Sequence, residues 1–432
     1  MISGGIMVNK LENELERRKQ AKRDFYFNSI GVLVKKTRLK RNLTQEDVAK
    51  GICSNTYLSK FEHNAVPINE EYLSMIMERI DLGYKNVMFP EEMLKAFNDA
   101  LDCFIYDDKP GFELLIHTLK PIDFAVLVDI ARLGYQIVMN NKTASELIAG
   151  ELYHYLAAMD SDALGVFMLF NAASKIINNK YDEGLKLLNL FDELDTYSDE
   201  LLGIIAYLKF VCYGFLGLMH SADVCCEEAR LVFSKAKNYR RLAMIDLYSL
   251  EFSFYESETV LQFENDSFLT LLNSDEIDRY HFLLAVSGSD VLGNCSKISE
   301  DSNYYPESRF VQCLYLLKSG QNESYLESKN ELQKLSNGSD GGIDYYKWLK
   351  LMDMDAQFDL KDFLIESVLP YAFSIQSIFL MKRATREIVD YLAKNKRYKD
   401  ALSYVIKLEN DIAKLQRKKK PLGMIEPLTA EE

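Results

Sequence analysis

The residues best suited to chemistry in this chain are a run of polar side chains between positions 54 and 60. At helical spacing Leu58 and Phe61 point to one side, and the polar residues share the other side. Hydroxyl, amide and amine groups on one face of a short helix can hydrogen-bond to base edges in the major groove of DNA. The alternative is a small helical hairpin with a solvated polar face. The members of the polar face are Asn55, Thr56, Tyr57, Ser59 and Lys60.

A second short helix is needed to hold this face in place. Thr44 is predicted to cap that helix, with Asp47 three residues later as its capping-box partner. Ala49 is predicted to face inward, where its small side chain allows two helices to cross closely. Residues 51–53 break the helix, and Ser54 is predicted to cap the next one. This order of signals predicts a helix-turn-helix.

The segment resembles the Xre/Cro type of helix-turn-helix, in residues 43–49 (LTQEDVA) and 57–62 (YLSKFE). Its turn, residues 52–54 (ICS), is one residue shorter than the usual Leu-Gly-Val-Ser. The shorter form looks like the version in the RRNPP family, the peptide-pheromone receptors of Gram-positive bacteria. That resemblance implies an N-terminal DNA-binding domain followed by a superhelix of tetratricopeptide-like repeats that binds a short, re-imported peptide.

The charge distribution favours the same division. Residues 1–65 contain 13 Lys and Arg against 7 Asp and Glu, whereas residues 66–432 contain 38 against 58. A basic segment on an acidic chain predicts that only the basic segment touches phosphates. Basic residues just before the motif are predicted to neutralise phosphates, with a solvated helix face as the alternative. The full predicted DNA-binding set is Lys35, Lys36, Arg38, Thr44, Gln45, Ser54, Asn55, Thr56, Tyr57, Ser59 and Lys60.

Beyond the motif, the chain is a succession of amphipathic helical segments with no convincing two-residue period, which predicts an all-α protein. Three segments share a turn, then a small residue, then apolar residues four and seven positions later. The small residues are Gly184, Ala222 and Ala401, and the first two are 38 positions apart. This spacing resembles the tetratricopeptide repeat, in which a small residue lets the second helix pack on the first. The expected fold is an N-terminal helix-turn-helix domain followed by an α-solenoid.

The predicted domain organisation has four parts. Residues 1–25 form an N-terminal extension, residues 26–82 the helix-turn-helix domain and residues 83–92 a linker. Residues 93–432 form a tetratricopeptide-like domain for peptide sensing and dimerisation.

The resemblance implies a signalling peptide on the concave face of the repeats, where amide side chains hold the peptide backbone. The candidates are Asn171, Tyr207 and, for a carboxylate, Arg386. For each of them the alternative is a surface or seam residue without a ligand.

Catalysis finds little support in the sequence. The five histidines show no metal-binding spacing, no Gly-rich phosphate loop occurs, and the seven cysteines contain no C-x-x-C pair. We therefore expect no enzyme activity, no cofactor and no metal, and reduced thiols in the cytoplasm. The longest apolar run, residues 201–219, has Lys209 near its middle, so no membrane span is expected.

Two classes of function follow from these observations. The first is a cytoplasmic transcription regulator that binds a double-stranded operator as a homodimer under the control of a signalling peptide. The second is a helical-repeat scaffold or phosphorelay antagonist whose helix-turn-helix domain is vestigial or only tethers it to DNA. A prophage-type repressor that responds to a peptide is a variant of the first class.

Overall fold

The computed structural model describes residues 10–13, 15, 29–63, 65–66, 68–81, 90–119, 126–159, 161–193, 198–257, 266–336, 343–353, 357–374 and 378–417. In these residues the regular structure is helical throughout and no strand occurs, so the all-α prediction is confirmed. The chain divides into two compact units, residues 1–241 and 242–432.

The α-helices are numbered in chain order. The first unit contains α1 (Ser29–Lys40), α2 (Gln45–Ala49), α3 (Asn55–Glu62), α4 (Glu70–Arg79), α5 (Pro90–Tyr106), α6 (Lys109–Leu119), α7 (Val126–Val138), α8 (Lys142–Leu152), α9 (Ser161–Ile177), α10 (Tyr181–Asn189), α11 (Asp199–Phe215) and α12 (Met219–Lys235). The boundary between the units falls within α13 (Tyr239–Ser257). The second unit continues with α14 (Ser274–Ser287), α15 (Val291–Ser296), α16 (Tyr305–Ser319), α17 (Asn322–Ser336), α18 (Tyr345–Asp353), α19 (Gln357–Phe363), α20 (Leu369–Ser374), α21 (Ile378–Lys394) and α22 (Tyr398–Arg417).

Helices α1 to α4 form the head, which we define as residues 29–81. Apolar side chains from all four helices meet in a core of the head's own, because each helix turns one apolar face inward. The buried members of this core are Val34, Val48, Ala49, Leu58, Phe61, Leu73, Ile76, Met77 and Ile80.

Helices α7 to α12 pair into three successive hairpins whose turns share one geometry. The backbone has a positive φ at Asn140, Asn179 and Gly217, and five residues later a small buried residue begins the packing of the second helix. Those small residues are Ser145, Gly184 and Ala222. At Gly184 an added Cβ would lie 3.1 Å from the Ile176 side chain and 3.2 Å from the Ala172 carbonyl oxygen, so the seam between α9 and α10 is tight.

One of the predicted boundaries changes. Helix α5 begins at Pro90, so the last three residues of the predicted linker are helical, while residues 83–89 lie outside the described residues. In the predicted N-terminal extension, Leu11 and Leu15 are buried and one helical turn apart, so this segment has an apolar face.

Candidate nucleic-acid interface

The N-terminus of α2 is held by a reciprocal capping box. The Thr44 side-chain oxygen accepts from the Asp47 backbone N–H at 3.1 Å, and the Thr44 backbone N–H donates to Asp47 Oδ2 at 2.8 Å. The hydrogen bonds from the Thr44 hydroxyl and backbone lower the pKa of Asp47. The predicted cap is confirmed, α2 turns Ala49 into the core as expected, and Val48 is buried beside it.

The turn after α2 needs glycine at one position. Gly51 has φ +75°, in the left-handed region that residues with a Cβ rarely adopt. The chain then enters α3 at Ser54, whose Oγ accepts from the Tyr57 backbone N–H at 3.1 Å. Leu58 and Phe61 of α3 are fully buried, so the predicted orientation of this helix is confirmed.

The opposite face of α3 carries the predicted polar surface. Asn55, Thr56 and Lys60 are exposed, and Tyr57 and Ser59 are partly exposed. The Tyr57 ring packs edge-on against Tyr72 of α4, with ring centroids 6.2 Å apart, which fixes where its hydroxyl is presented. The result is a short helix whose first turn offers amide and hydroxyl groups to a partner.

A buried ion pair joins the first and third helices of the head. Arg38 Nε and Nη2 donate to the two carboxylate oxygens of Glu62 at 2.6 and 2.9 Å, and Nη1 donates to the Leu43 carbonyl oxygen at 2.8 Å. Gln45 Nε2 donates to Glu62 Oε2 at 2.7 Å. One carboxylate therefore ties α1, α2 and α3 together.

This geometry corrects the predicted role of Arg38. The residue is only 6 % exposed, and its guanidinium is committed to Glu62 and a backbone carbonyl, so it does not face a phosphate. Its position four residues after the buried Val34 puts both on the inner face of α1, and this signal was present in the sequence. Gln45 remains partly exposed, although its amide is directed to Glu62.

Two lysines of α1 that were predicted to contact phosphates also have partners in the structure. Lys35 Nζ lies 3.0 Å from His63 Nε2, and His63 Nδ1 lies 2.6 Å from the Ser59 carbonyl oxygen. Lys36 turns away from the head and binds the carboxylate of Asp129 on α7. Lys35 is thus held beside the C-terminal end of α3. Lys36 is held by the helices that follow the head, α5 to α22, which we call the body.

Arg79 of α4 stabilises the end of α2, a role that the sequence does not indicate. Its Nη1 donates to the Val48 carbonyl oxygen at 3.1 Å and also to the Lys50 carbonyl. A cation at the C-terminal end of a helix satisfies unpaired carbonyls and is favoured by the helix dipole. Nothing in the local sequence around Arg79 indicates this contact, because it joins α4 to a helix 31 positions earlier.

The structure does not support two of the three predicted peptide contacts. Asn171 is fully buried in α9 and donates to the Tyr153 hydroxyl oxygen at 2.7 Å. Tyr207 is 4 % exposed, packs against Phe233 and lies under the Arg241 guanidinium. Both are seam residues without access to a peptide. Arg386 is exposed on α21 in the second unit.

The described parts of the chain contain no group of three or more His, Cys, Asp or Glu residues placed to hold a metal ion. In those same parts, every helix is too short or too polar to cross a membrane.

Comparison with known proteins identifies the head. Residues 34–83 match the helix-turn-helix family HTH_3, which is the Xre type and points to a DNA-binding transcription regulator. No curated protein and no solved structure matches the chain. The family match covers the segment that contains the capped α2, the turn at Gly51 and the polar face of α3.

Proposed function

We propose that this protein is a cytoplasmic transcription regulator that binds its operator as a homodimer and is controlled by a short signalling peptide. The observation that carries the proposal is the polar face of α3. This face stays exposed while capping, the apolar core and the Arg38–Glu62 pair fix the helix from behind. Such a helix is suited to the major groove, where its first residues meet base edges.

In this proposal the residues of the head have separate roles. Asn55, Thr56 and Tyr57 contact base edges, while Ser59 and Lys60 lie nearer the phosphates. Lys35, Lys36 and Gln45 contact the DNA backbone, and the helix N-termini capped by Thr44 and Ser54 approach it. Arg38 is left out of the interface and instead positions α1 against α3.

The body is proposed to be a tetratricopeptide-like array that binds the peptide. The repeated hairpin turn and the small buried residues Ser145, Gly184 and Ala222 support this, together with the resemblance to peptide-pheromone receptors. Arg386 remains a candidate for the peptide carboxylate. Calorimetry of the full chain with synthetic peptides from small open reading frames beside the gene tests peptide binding directly.

Self-association is supported by α22. Three apolar residues one turn apart on α22, Tyr398, Leu402 and Ile406, are 66, 59 and 47 % exposed. An apolar stripe of this kind is costly to leave in water, and the two-fold symmetry of a homodimer would cover it with the same stripe of a second copy.

Selection of bound duplexes from a random-sequence library by the full chain tests the proposed function. The expected result is an inverted repeat whose half-sites are about one helical turn apart, because a dimer presents two recognition helices. If no sequence were enriched, or if the enriched duplexes carried a single unrepeated half-site, the result would contradict the proposal.

A further inference from the structure

The contact between the head and α7 is made by a residue that the proposed function assigns to DNA. Lys36 Nζ binds Asp129 Oδ2 and lies 5.5 Å from the centre of the Tyr155 ring. The side chains of Lys36 and Asp129 are only 19 and 14 % exposed. The amine is thus largely removed from water by a carboxylate and an aromatic ring, both in the body of the first unit.

Asp129 is held in position by a second cation. Arg132 Nη1 donates to Asp129 Oδ1 at 3.1 Å, and Arg132 Nη2 donates to the Leu119 carbonyl oxygen at 3.2 Å. The two carboxylate oxygens therefore have different partners, one in the body and one in the head. Because Arg132 binds Oδ1 from within the body, the carboxylate is oriented with Oδ2 toward Lys36.

We propose that Asp129 and Tyr155 hold the head against α7 through Lys36, in competition with a DNA phosphate for the same amine. The inference rests on the proposed function, since it requires that the head binds DNA. A phosphate and the Asp129 carboxylate carry the same sign of charge, so Lys36 cannot neutralise both at full strength. DNA binding then has to break the contact, and the free energy of the contact is subtracted from the free energy of DNA binding.

The contact also gives the body a means of control. Any ligand that binds better when α7 is separated from the head releases Lys36 and strengthens DNA binding, and DNA then raises the affinity for that ligand by the same factor. A ligand that favours the contact has the opposite effect. The sign of regulation is therefore set by which arrangement of α7 the ligand prefers.

The substitution Asp129→Asn tests the competition, with Glu113→Gln as the matched control. Both remove one negative charge from the first unit, but Glu113 is an exposed residue of α6. The assay is fluorescence anisotropy of the full chain with a labelled duplex of mixed sequence. We expect Asp129→Asn to bind about fivefold more tightly, the size of a partly buried ion pair. Equal gains in both variants would show a general charge effect and overturn the proposal.

A double-mutant cycle with Lys36→Gln assigns the gain to this amine. If Lys36 is the residue released, Asp129→Asn should give no gain when Lys36→Gln is also present. A gain that persists without the lysine contradicts the proposal.

Acetylation of Lys36 provides a test that does not depend on DNA. In the free protein, N-hydroxysuccinimide acetate should label Lys36 several times faster in Asp129→Asn than in wild type or Glu113→Gln, as measured by mass spectrometry. Unchanged labelling would overturn the contact even if DNA binds. If labelling rises as expected but no variant binds DNA, the proposed function fails and its competition with DNA fails with it, while the head-to-body contact itself remains established.

Discussion

Arg38 and Glu62 lie 24 positions apart in the sequence and form a buried pair with two hydrogen bonds, at 2.6 and 2.9 Å. Arg38 belongs to α1, and Glu62 is the last residue of α3. The guanidinium and the carboxylate meet side by side, the arrangement that gives an Arg–carboxylate pair both strength and a fixed orientation. The ion pair therefore fixes the orientation of α3 within the head from the buried side, opposite the polar face.

Removing the carboxylate should loosen the head. Glu62→Ala leaves the Arg38 charge buried and removes the acceptor of Gln45, which should destabilise the head by about 3–5 kcal/mol. Native-state hydrogen exchange of the amides in α2 and α3 measures this loss within the full chain. Glu78→Ala, at an exposed position of α4, is the control and should leave the exchange unchanged. Equal protection in the two variants would mean that the pair does not stabilise the head.

The apolar stripe of α22 should be required for self-association. Leu402→Asp places a charge at the centre of the stripe, where burial against a second copy would leave the carboxylate without water. Sedimentation velocity should show a shift from dimer to monomer. Leu147→Asp changes a leucine of α8 that is similarly exposed, at 65 %, and should remain a dimer. A dimer that survives Leu402→Asp would place the interface elsewhere.

Glu307 should make the stability of the second unit depend on pH. Its Oε1 is buried with no hydrogen-bond partner among the described residues, and this burial raises the pKa of Glu307 to about 8. Because the folded pKa lies above the unfolded value, the stabilising contribution is complete below pH about 4.5 and is lost as the pH rises through about 8. Thermal unfolding of the full chain should therefore show Glu307→Gln to be more stable than wild type above pH 8, with little difference near pH 5.

The matched control for this experiment is Glu323→Gln. Glu323 also lies in the first turn of a helix, α17, but it is exposed. Its substitution should not change the slope of stability against pH. If Glu307→Gln followed the wild-type curve at every pH, the carboxyl group would have to be hydrated in the folded protein.

The local structure of the head followed from its sequence because caps and turns are short-range features. Thr44 and Ser54 cap helices by accepting from backbone N–H groups three residues later, and Gly51 adopts a positive φ at its own position. Each residue type predicts that local role. The partners of Arg38 and Lys36 did not follow, because both depend on how distant segments pack. The spacing from Val34 indicates that Arg38 lies on the inner face of α1, but nothing near either residue in the sequence identifies Glu62 or Asp129 as its partner.

The sequence also predicted the body only in part. The sequence indicated hairpins with Gly184 and Ala222 at their seams, and the structure adds Ser145, which a search for Gly and Ala misses. The hydrogen-bonding groups of Asn171 and Tyr207 fit the peptide site that the resemblance implies, yet the two residues lie in α9 and α11, which are apolar around nearly their whole circumference. A helix that is apolar on all sides is buried on all sides, so a polar residue within it is more often a core residue than a ligand contact.

The central claim is that the exposed face of α3 reads DNA sequence, and Asn55→Ala tests it most directly. An amide can make two hydrogen bonds to one base edge, so its loss should cost about 1–3 kcal/mol and relax specificity at one base position. The measurement is anisotropy of the full chain on the selected operator and on its single-base variants. Asn98→Ala, at an exposed position of α5, is the control. Weaker binding with relaxed preference at one position in Asn55→Ala alone is the expected result, whereas wild-type affinity and specificity would contradict the claim.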